Sequence, residues 1–358
     1  MEDSANHLFL NSQAVFNALP IQAPLLSPGE LDSLSHDSAP GSSLLAKTDR
    51  KKQIWSIGGG KGGVGKSLIA SCISIALARS GHKVIAIDLD LGGANLHTTL
   101  GVDLPRQTLG DFFSHRVGSL QACVTPTNIP NLELISGAQD SIGMSNLKYS
   151  QQLELLKQVH QLDADYIIFD LGAGTHLSTI HFFLFSDVGI VTMLPEPTSI
   201  ENCYRFIKSA YYHFLFRSPS LVSVRPLIEL AMDPKNPLGI KSPADLLNEV
   251  HKANPEAALN LKRQLELFKP LLVVNQVRTQ TDIEIGHSVK TVCKKYFGIG
   301  MDYVGHLDYD SSVWQAVRRK RPLMFEFPNS KVVAGIETIT QDIVKAYNSD
   351  KTMSPLYR

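Results

Sequence analysis

Short runs of apolar residues alternate with longer amphipathic segments from Gln53 onward. The apolar runs predict strands at Gln53–Ile57, Lys83–Asp88, Leu132–Ile135, Tyr166–Asp170, Val188–Leu194 and Leu271–Asn275. The segments between them predict helices, among them Ser67–Ser80 and Tyr149–Leu162. Gly81 follows the first of these, at a position where glycine commonly ends a helix. Apolar strands separated by helices are typical of a parallel sheet that is covered on both faces. We therefore predict an α/β fold with a doubly wound, mainly parallel sheet, which binds ligands at the carboxyl ends of its strands.

Both ends of the chain and one internal stretch depart from this regular pattern. Residues 1–50 are rich in serine and contain four prolines, so we predict a flexible, disordered tail. Within it, Leu8, Val15, Phe16 and Leu19 share a helical face, either as an incidental apolar cluster or as a short docking helix. We predict one domain over residues 51–348, with a helical embellishment at 217–269, followed by a polar tail at 349–358.

Charge and cysteine usage narrow the functional class. Acidic and basic residues balance at 34 each, which argues against binding nucleic acid over a broad surface. The four cysteines are scattered and form no C-x-x-C pair, so we expect reduced thiols in a cytoplasmic protein. The chain shows no apolar stretch long enough to span a bilayer and no secretory signal pattern.

A glycine-rich loop follows the first predicted strand and opens the first predicted helix. It matches the phosphate-binding pattern G-x-x-x-x-G-K-[ST] in the required strand–loop–helix context. Glycines let backbone N–H groups approach phosphate oxygens, and the helix start presents further N–H groups. We predict ATP and Mg²⁺ as ligands, with Lys66 on the β- and γ-phosphates and Ser67 on the metal. The predicted nucleotide-binding residues are Gly60, Gly62, Gly63, Val64, Gly65, Lys66, Ser67 and Leu68.

Two further strands end in carboxylates, as a nucleotide-bound Mg²⁺ requires. Asp88 and Asp90 close one strand, and Asp170 closes another, where it fits a Walker B aspartate that holds Mg²⁺ through water. A structural alternative for Asp88 and Asp90 is capping of the next turn. Glycines after Asp170 would let a switch segment approach the γ-phosphate.

The loop, read together with its flanking motifs, resembles that of the MinD/ParA group of ATPases, K-G-G-x-x-K-[ST]. In this group the early lysine reaches the nucleotide of a partner subunit, so the resemblance implies that role for Lys61. The alternative is a solvated loop lysine. The resemblance also implies that Asp88 supports the metal shell, that Asp90 positions or activates the attacking water, and that Asn275 recognises adenine. Lys61, Lys66, Asp90 and Asp170 are thus the predicted catalytic residues.

The segment Leu194–Ile200 resembles the P-E-P-T-S segment of MinD-like flagellar-number regulators, called FlhG or FleN. A structural interpretation holds beside it, in which the prolines end a strand and Thr198 or Ser199 caps the next helix. The basic run Arg318–Arg321 is either a helix end stabilised by cations or a membrane or partner contact. The last predicted helix, Val332–Tyr347, lacks the basic face of an interfacial membrane anchor.

The resemblance implies a slow, partner-stimulated ATPase that dimerises with ATP and regulates the placement of flagella or of the division site. The expected location is cytoplasmic, or peripheral at the inner face of the plasma membrane. Three alternatives stand beside it. A DNA-partitioning ParA-type ATPase would bind DNA as an ATP dimer, which the neutral net charge disfavours. An iron–sulfur carrier of the same fold would need clustered cysteines, and a pseudoenzyme would not need Lys66, Asp90 and Asp170 intact.

Overall fold

The protein is described by a computed structural model that covers residues 52–137, 147–233 and 235–349. The side chains of residues 296 and 349 are not described. The predictions for residues 1–50, including the docking helix, lie outside these ranges, as does nearly all of the tail at 349–358.

The chain builds one eight-stranded sheet with the spatial order β3-β4-β2-β5-β1-β6-β7-β8. All neighbouring strands are parallel except the short β3, which pairs antiparallel with β4 at one edge. β1 lies inside the sheet, and the chain adds strands first on one side of it and then on the other. The strands are β1 (Gln53–Gly58), β2 (Val84–Leu89), β3 (Thr125–Pro126), β4 (Leu132–Ile135), β5 (Tyr166–Leu171), β6 (Val188–Met193), β7 (Leu271–Val277) and β8 (Asp302–Asp308).

Helices cover both faces of this sheet. The helices are α1 (Lys66–Arg79), α2 (Leu96–Thr99), α3 (Leu109–Phe113), α4 (Tyr149–Val159), α5 (Leu177–Phe185), α6 (Pro197–Arg217), α7 (Arg225–Met232), α8 (Pro243–Ala253), α9 (Pro255–Leu267), α10 (Gln280–Phe297), α11 (Ser311–Arg318), α12 (Leu323–Glu326) and α13 (Lys331–Ser349). Short 3₁₀ turns lie at Leu120–Cys123 and Pro219–Val224.

The strand interiors explain why two hydrophobic cores form. Alternate residues of a strand point to opposite faces, and both faces are covered, so nearly every position in the central strands is apolar. In β5, Ile167 and Phe169 join the core beneath α4–α10, whereas Tyr166 and Ile168 join the core beneath α1 and α13. Asp170 continues the second row, so its carboxylate points toward the face that α1 covers.

The observed elements agree with the predicted fold class, and their ends agree to within a few residues where both were assigned. Within residues 217–269, the chain breaks between α8 and α9. Asn254 ends α8 and caps α9 through its side chain, and Pro255 occupies the first turn, where its missing N–H is not needed. β3 and β8 were not predicted, because β3 has only two residues and β8 contains Gly305 and His306, which interrupt the apolar run.

Candidate nucleotide site

Two glycines of the loop between β1 and α1 leave no room for a side chain. Gly65 has φ of 95°, and a Cβ atom there would lie 2.2 Å from the Asn275 amide nitrogen. At Gly60, a Cβ would lie 1.9 Å from the backbone oxygen of Asn202. No side chain caps the start of α1, which leaves its first N–H groups for a phosphate. Asn275 and Asn202 therefore pack closely against the loop, while the N–H groups at the start of α1 remain available to bind an anion.

Asn275 is buried at the end of β7 and supports this loop. Its amide nitrogen donates to the backbone oxygen of Val64 at 2.8 Å, and its amide oxygen accepts from the N–H of Gln276 at 2.9 Å. Each group satisfies a backbone partner that would otherwise be buried without one. The recognition of adenine by Asn275 stays a prediction, and the contact with Val64 shows a loop-supporting role that the sequence did not suggest.

Lys66 turns its side chain inward at the start of α1. It is only 7% exposed, and its ammonium donates to the backbone oxygen of Lys61 at 3.4 Å. Burial lowers the pKa of the Lys66 ammonium, and the charges of Asp170 and Asp90 oppose that shift. A buried cation at a helix start, with carboxylates nearby, is suited to bind the oxygens of a polyphosphate.

Asp88 and Asp170 lie side by side, because β2 and β5 pair in register at these two positions. Both side chains are almost fully buried. Burial raises the pKa of the Asp88 carboxyl to about 7, although backbone hydrogen bonds oppose the shift. Burial likewise raises the pKa of the Asp170 carboxyl well above its usual range, and the charge of Asp88 adds to this effect. Two such buried acids form a site that gains stability when a cation binds.

The Asp170 carboxylate is the strongest indication of a metal. Neither of its oxygens has a hydrogen-bond partner at normal geometry among the described residues, although the Ser67 hydroxyl lies near enough to lower its pKa. The described ranges contain no group of three or more His, Cys, Asp or Glu that could hold a metal alone. Ser67 and Asp170 therefore fit Mg²⁺, which typically takes few protein ligands and completes its shell with phosphate oxygens and water.

The Asp88 carboxylate accepts hydrogen bonds from the backbone that follows β2. One carboxylate oxygen accepts from the N–H of Asp90 and the other from the N–H of Leu96, both at 3.0 Å. The capping alternative is therefore what the structure shows for Asp88, since Leu96 is the first residue of α2. Any contribution of Asp88 to a metal shell stays a prediction.

Asp90 lies between two glycines of the expected switch segments. A Cβ at Gly172, which follows β5, would lie 3.4 Å from the Asp90 Oδ1, and a Cβ at Gly93 would lie 3.6 Å from it. The N–H of Gly174 donates to the backbone oxygen of Gly59 at 3.2 Å, which joins the segment after β5 to the phosphate loop. Because Gly93 and Gly172 have no side chains, they leave space around the half-buried Asp90 carboxylate at the carboxyl edge of the sheet.

Lys61 points away from Lys66, although both belong to the same loop. Its side chain is 40% exposed, and its ammonium lies 3.2 Å from the Thr198 hydroxyl and 3.7 Å from the Glu196 carboxylate. Exposed contacts of this kind contribute little stability, so Lys61 can leave them at small cost. The structure thus separates a buried lysine inside the site from a second lysine at its outer rim.

The start of α6 forms this rim. Its P-E-P-T-S residues can be recognised in the sequence, but the sequence does not indicate that they contact the phosphate loop. The expectation that Thr198 or Ser199 caps α6 is wrong. Glu196 is the cap residue without a side-chain cap bond, and the Ser199 hydroxyl instead accepts from the N–H of Leu194 at 2.9 Å. Pro197 in the first turn starts the helix because its φ is already helical.

The cysteines and the apolar content of the helices can also be compared with the expectations from composition. All four cysteines are buried free thiols. None of the helices in the described ranges is both long and apolar enough to cross a membrane.

Part of the chain matches a family model, and several known proteins are similar to it. A model of the family described as "AAA domain" matches residues 52–212. The antiactivator FleN of Pseudomonas aeruginosa is 24% identical over 292 residues, which span 81% of this chain and 86% of FleN. The flagellum site-determining protein YlxH of Helicobacter pylori is 34% identical over 183 residues, which span 50% of this chain and 60% of YlxH. The match to the septum site-determining protein MinD of the same organism spans 57% of MinD, so YlxH and MinD are each matched over less than two thirds of their length.

A solved structure supports the fold. The septum site-determining protein MinD from Pyrococcus horikoshii, which was solved with Mg-ADP, superimposes with a TM-score of 0.56 at 20% identity. The superposition covers 84% of this chain and all of that one. Together these matches confirm the resemblance that the loop and switch motifs indicate.

Proposed function

We propose that this chain, which resembles the MinD/ParA group of P-loop proteins, is a Mg²⁺-dependent ATPase that acts as a dimerising switch. The orientation of the two loop lysines carries the proposal. Lys66 is buried near the Asp170 and Asp90 carboxylates inside its own site, whereas Lys61 is partly exposed at the rim, where it contacts Glu196 and Thr198. A lysine that points out of its own site can complete the site of a second copy.

The chain's own residues account for nucleotide binding and hydrolysis. The loop N–H groups and Lys66 bind the phosphates, and Ser67 and Asp170 hold Mg²⁺, which when bound supplies charge neutralisation at the phosphate oxygens. Asp90 orients a water for in-line attack on the γ-phosphorus. The water oxygen forms the new bond as the bond to the ADP oxygen breaks, and the water's proton passes to solvent or phosphate. Lys61 of the second copy stabilises the negative charge on the transferring phosphoryl group.

Spatial regulation is the proposed output. The relatives that support it are named for it: FleN is an antiactivator, YlxH is a flagellum site-determining protein, and MinD is a septum site-determining protein. We propose control of the position or number of flagella, with the division site as the second candidate cargo. A protein partner that stimulates hydrolysis is part of this proposal, because γ-phosphate contacts can order the switch segments and hydrolysis can release them.

Light scattering coupled to size-exclusion chromatography tests the switch. We expect monomers with ADP and dimers with ATP and Mg²⁺. Asp90→Ala is expected to keep the dimer for longer because turnover is blocked, and Lys61→Ala is expected to lose it. Wild-type protein that stays monomeric with ATP, while nucleotide binding is confirmed separately, contradicts the proposal.

A further inference from the structure

A surface that follows β8 combines exposed aromatic and aliphatic side chains with several cations. We call it the basic–aromatic patch, defined by Trp314, Val317, Arg318, Lys320, Arg321 and Phe325. Trp314 is 63% exposed, Phe325 53% and Val317 42%. Large apolar side chains on a protein surface are common singly, but several of them beside one basic run indicate an interaction site.

Trp314, Val317 and Arg318 share one face of α11, because Trp314 precedes the other two by three and four residues. Lys320 and Arg321 follow the end of the helix and are also exposed. The opposite face carries the smaller Ser312 and Ala316, both of which are buried against the body of the protein. Val313 is partly buried against the same core. Helix α11 therefore rests on its smaller side chains and presents its largest one, Trp314, outward.

The cations of this face are largely uncompensated. Arg319 is paired with Glu326 of α12, which ties the two short helices together. Among the described residues, no carboxylate lies within ion-pair distance of Arg318, Lys320 or Arg321. The Arg318 guanidinium lies 5.1 Å from the centre of the Trp314 ring, so a cation and an aromatic ring project at the same place. The partner of this surface must carry negative charge and also accept apolar side chains.

We propose that the basic–aromatic patch docks on the surface of an anionic lipid bilayer. Tryptophan and phenylalanine beside arginine and lysine are the side chains that settle at the boundary between headgroups and acyl chains. Nucleic acid fits this surface less well, because Val317 offers no ring for base stacking and Arg318 covers one face of the Trp314 ring. The chain as a whole carries no net positive charge that would favour broad contact with phosphates.

The patch also adjoins a segment that the nucleotide site holds. A Cβ at Gly101, just after α2, would lie 2.9 Å from Pro322 and 3.4 Å from the backbone oxygen of Lys320. The N–H of Leu96, at the start of α2, is held by Asp88. Because this contact path leads from the nucleotide site to the patch, vesicle binding is to be measured both with ADP and with a non-hydrolysable ATP analogue.

Tryptophan fluorescence tests the insertion directly. The chain has two tryptophans, and the other one, Trp55, is fully buried in β1, so a spectral change on membrane contact reports Trp314. The full-length protein is mixed with vesicles of phosphatidylglycerol and phosphatidylcholine in equal amounts, and separately with vesicles of phosphatidylcholine alone. We expect the emission to shift to shorter wavelength only with the anionic vesicles. Trp314→Phe removes the shift while vesicle flotation still detects binding.

Charge variants and a matched control separate docking from unspecific adsorption. Arg318→Ala and Arg321→Ala are each expected to lower the partition coefficient on anionic vesicles about fivefold. Arg263→Ala and Leu259→Ala change exposed residues of the same kinds on α9 and are expected to leave it unchanged. Wild-type protein that does not float with anionic vesicles in either nucleotide state overturns the proposal, as does binding to which the patch variants make no difference. Binding to duplex DNA that Arg318→Ala abolishes, without vesicle binding, assigns the patch to nucleic acid instead.

Discussion

The carboxyl groups of Asp88 and Asp170 lie next to each other on paired strands, and both point toward the start of α1. Asp88 is held by two backbone N–H groups, whereas Asp170 is buried without a hydrogen-bond donor at normal geometry in the described part of the chain. The protein thus keeps one acid as a structural anchor for the segment after β2. The other is buried without such donors, where a bound cation would stabilise its charge.

Removal of the charge on Asp170 should stabilise the protein while it abolishes metal binding. Asp170→Asn keeps the shape of the side chain but eliminates a buried carboxylate that no described group neutralises fully. In buffer without nucleotide and metal, we expect a melting temperature a few degrees above that of wild type, since about 1 kcal/mol corresponds to roughly 2–4 °C in a large domain. Calorimetry with and without Mg-ADP measures both effects. A variant that is less stable than wild type in the empty state and still gains stability from Mg²⁺ would show that Asp170 is not the metal site.

The raised pKa of Asp88 predicts a pH dependence of stability in the empty protein. The folded state binds a proton with a pKa of about 7, whereas the unfolded carboxyl has the model value of 3.8, so the folded state holds more protons between these values. This contribution to stability is therefore greatest at the acidic end of the window and is lost as the pH rises through 7. Asp170 acts in the same direction. The lowered pKa of Lys66 acts in the opposite direction below its ordinary value of 10.5.

Urea unfolding in the presence of a chelator measures this dependence. Between pH 5 and pH 7 we expect the free energy of unfolding of wild type to fall by about 2 kcal/mol relative to that of Asp88→Asn, because a full pKa unit corresponds to about 1.4 kcal/mol. Buried histidines such as His181 and His213 have lowered pKa values and act in the opposite direction, but both proteins contain them. Excess Mg-ADP is expected to remove most of the difference between the two proteins. A difference that stays constant or rises over this range would contradict the assignment.

Two glycines of the phosphate loop should respond differently to the same substitution. Gly65→Ala introduces a side chain at φ of 95° and directly against the Asn275 amide, whereas a Cβ at Gly62 meets nothing within 4 Å. We expect Gly65→Ala to lower the melting temperature and to weaken ADP binding by more than about tenfold, because the left-handed conformation alone costs about 1–2 kcal/mol. Gly62→Ala should leave the melting temperature unchanged. Thermal unfolding and calorimetric titration with ADP decide the comparison, and equal melting temperatures would show that the loop adapts.

Sequence patterns predict the parts of this molecule that depend on local chemistry. The phosphate loop, the carboxylates at the strand ends and the central strands all follow from residue type and spacing. The interaction of Asn275 with Val64 does not, because it joins residues 211 positions apart and depends on how β7 is placed beside β6. The same applies to Lys61, whose contacts with Glu196 and Thr198 arise only once α6 is packed against the loop.

The different roles of Asp88, Asp90 and Asp170 also depend on burial, which the sequence does not predict in detail. Their position after apolar strands indicates a metal site, but three aspartates in sequence look alike. Only the packing shows that Asp88 is held by backbone N–H groups, that Asp170 is left without them, and that Asp90 lies in open space between two glycines.

The measurement that tests the central claim most directly is ATP hydrolysis by a mixture of two inactive variants. Lys61→Ala keeps Asp90 but lacks the lysine for its partner, whereas Asp90→Ala keeps Lys61 but cannot position water. The nucleotide-free proteins are mixed in equal amounts before ATP and Mg²⁺ are added. If Lys61 acts across the interface, each mixed dimer keeps one Lys61 contact and contains one complete site, and we expect activity to return, to at most about a quarter of the wild-type rate. If the mixture stays as inactive as its components while the two variants form mixed dimers, Lys61 does not act on the site of a second copy.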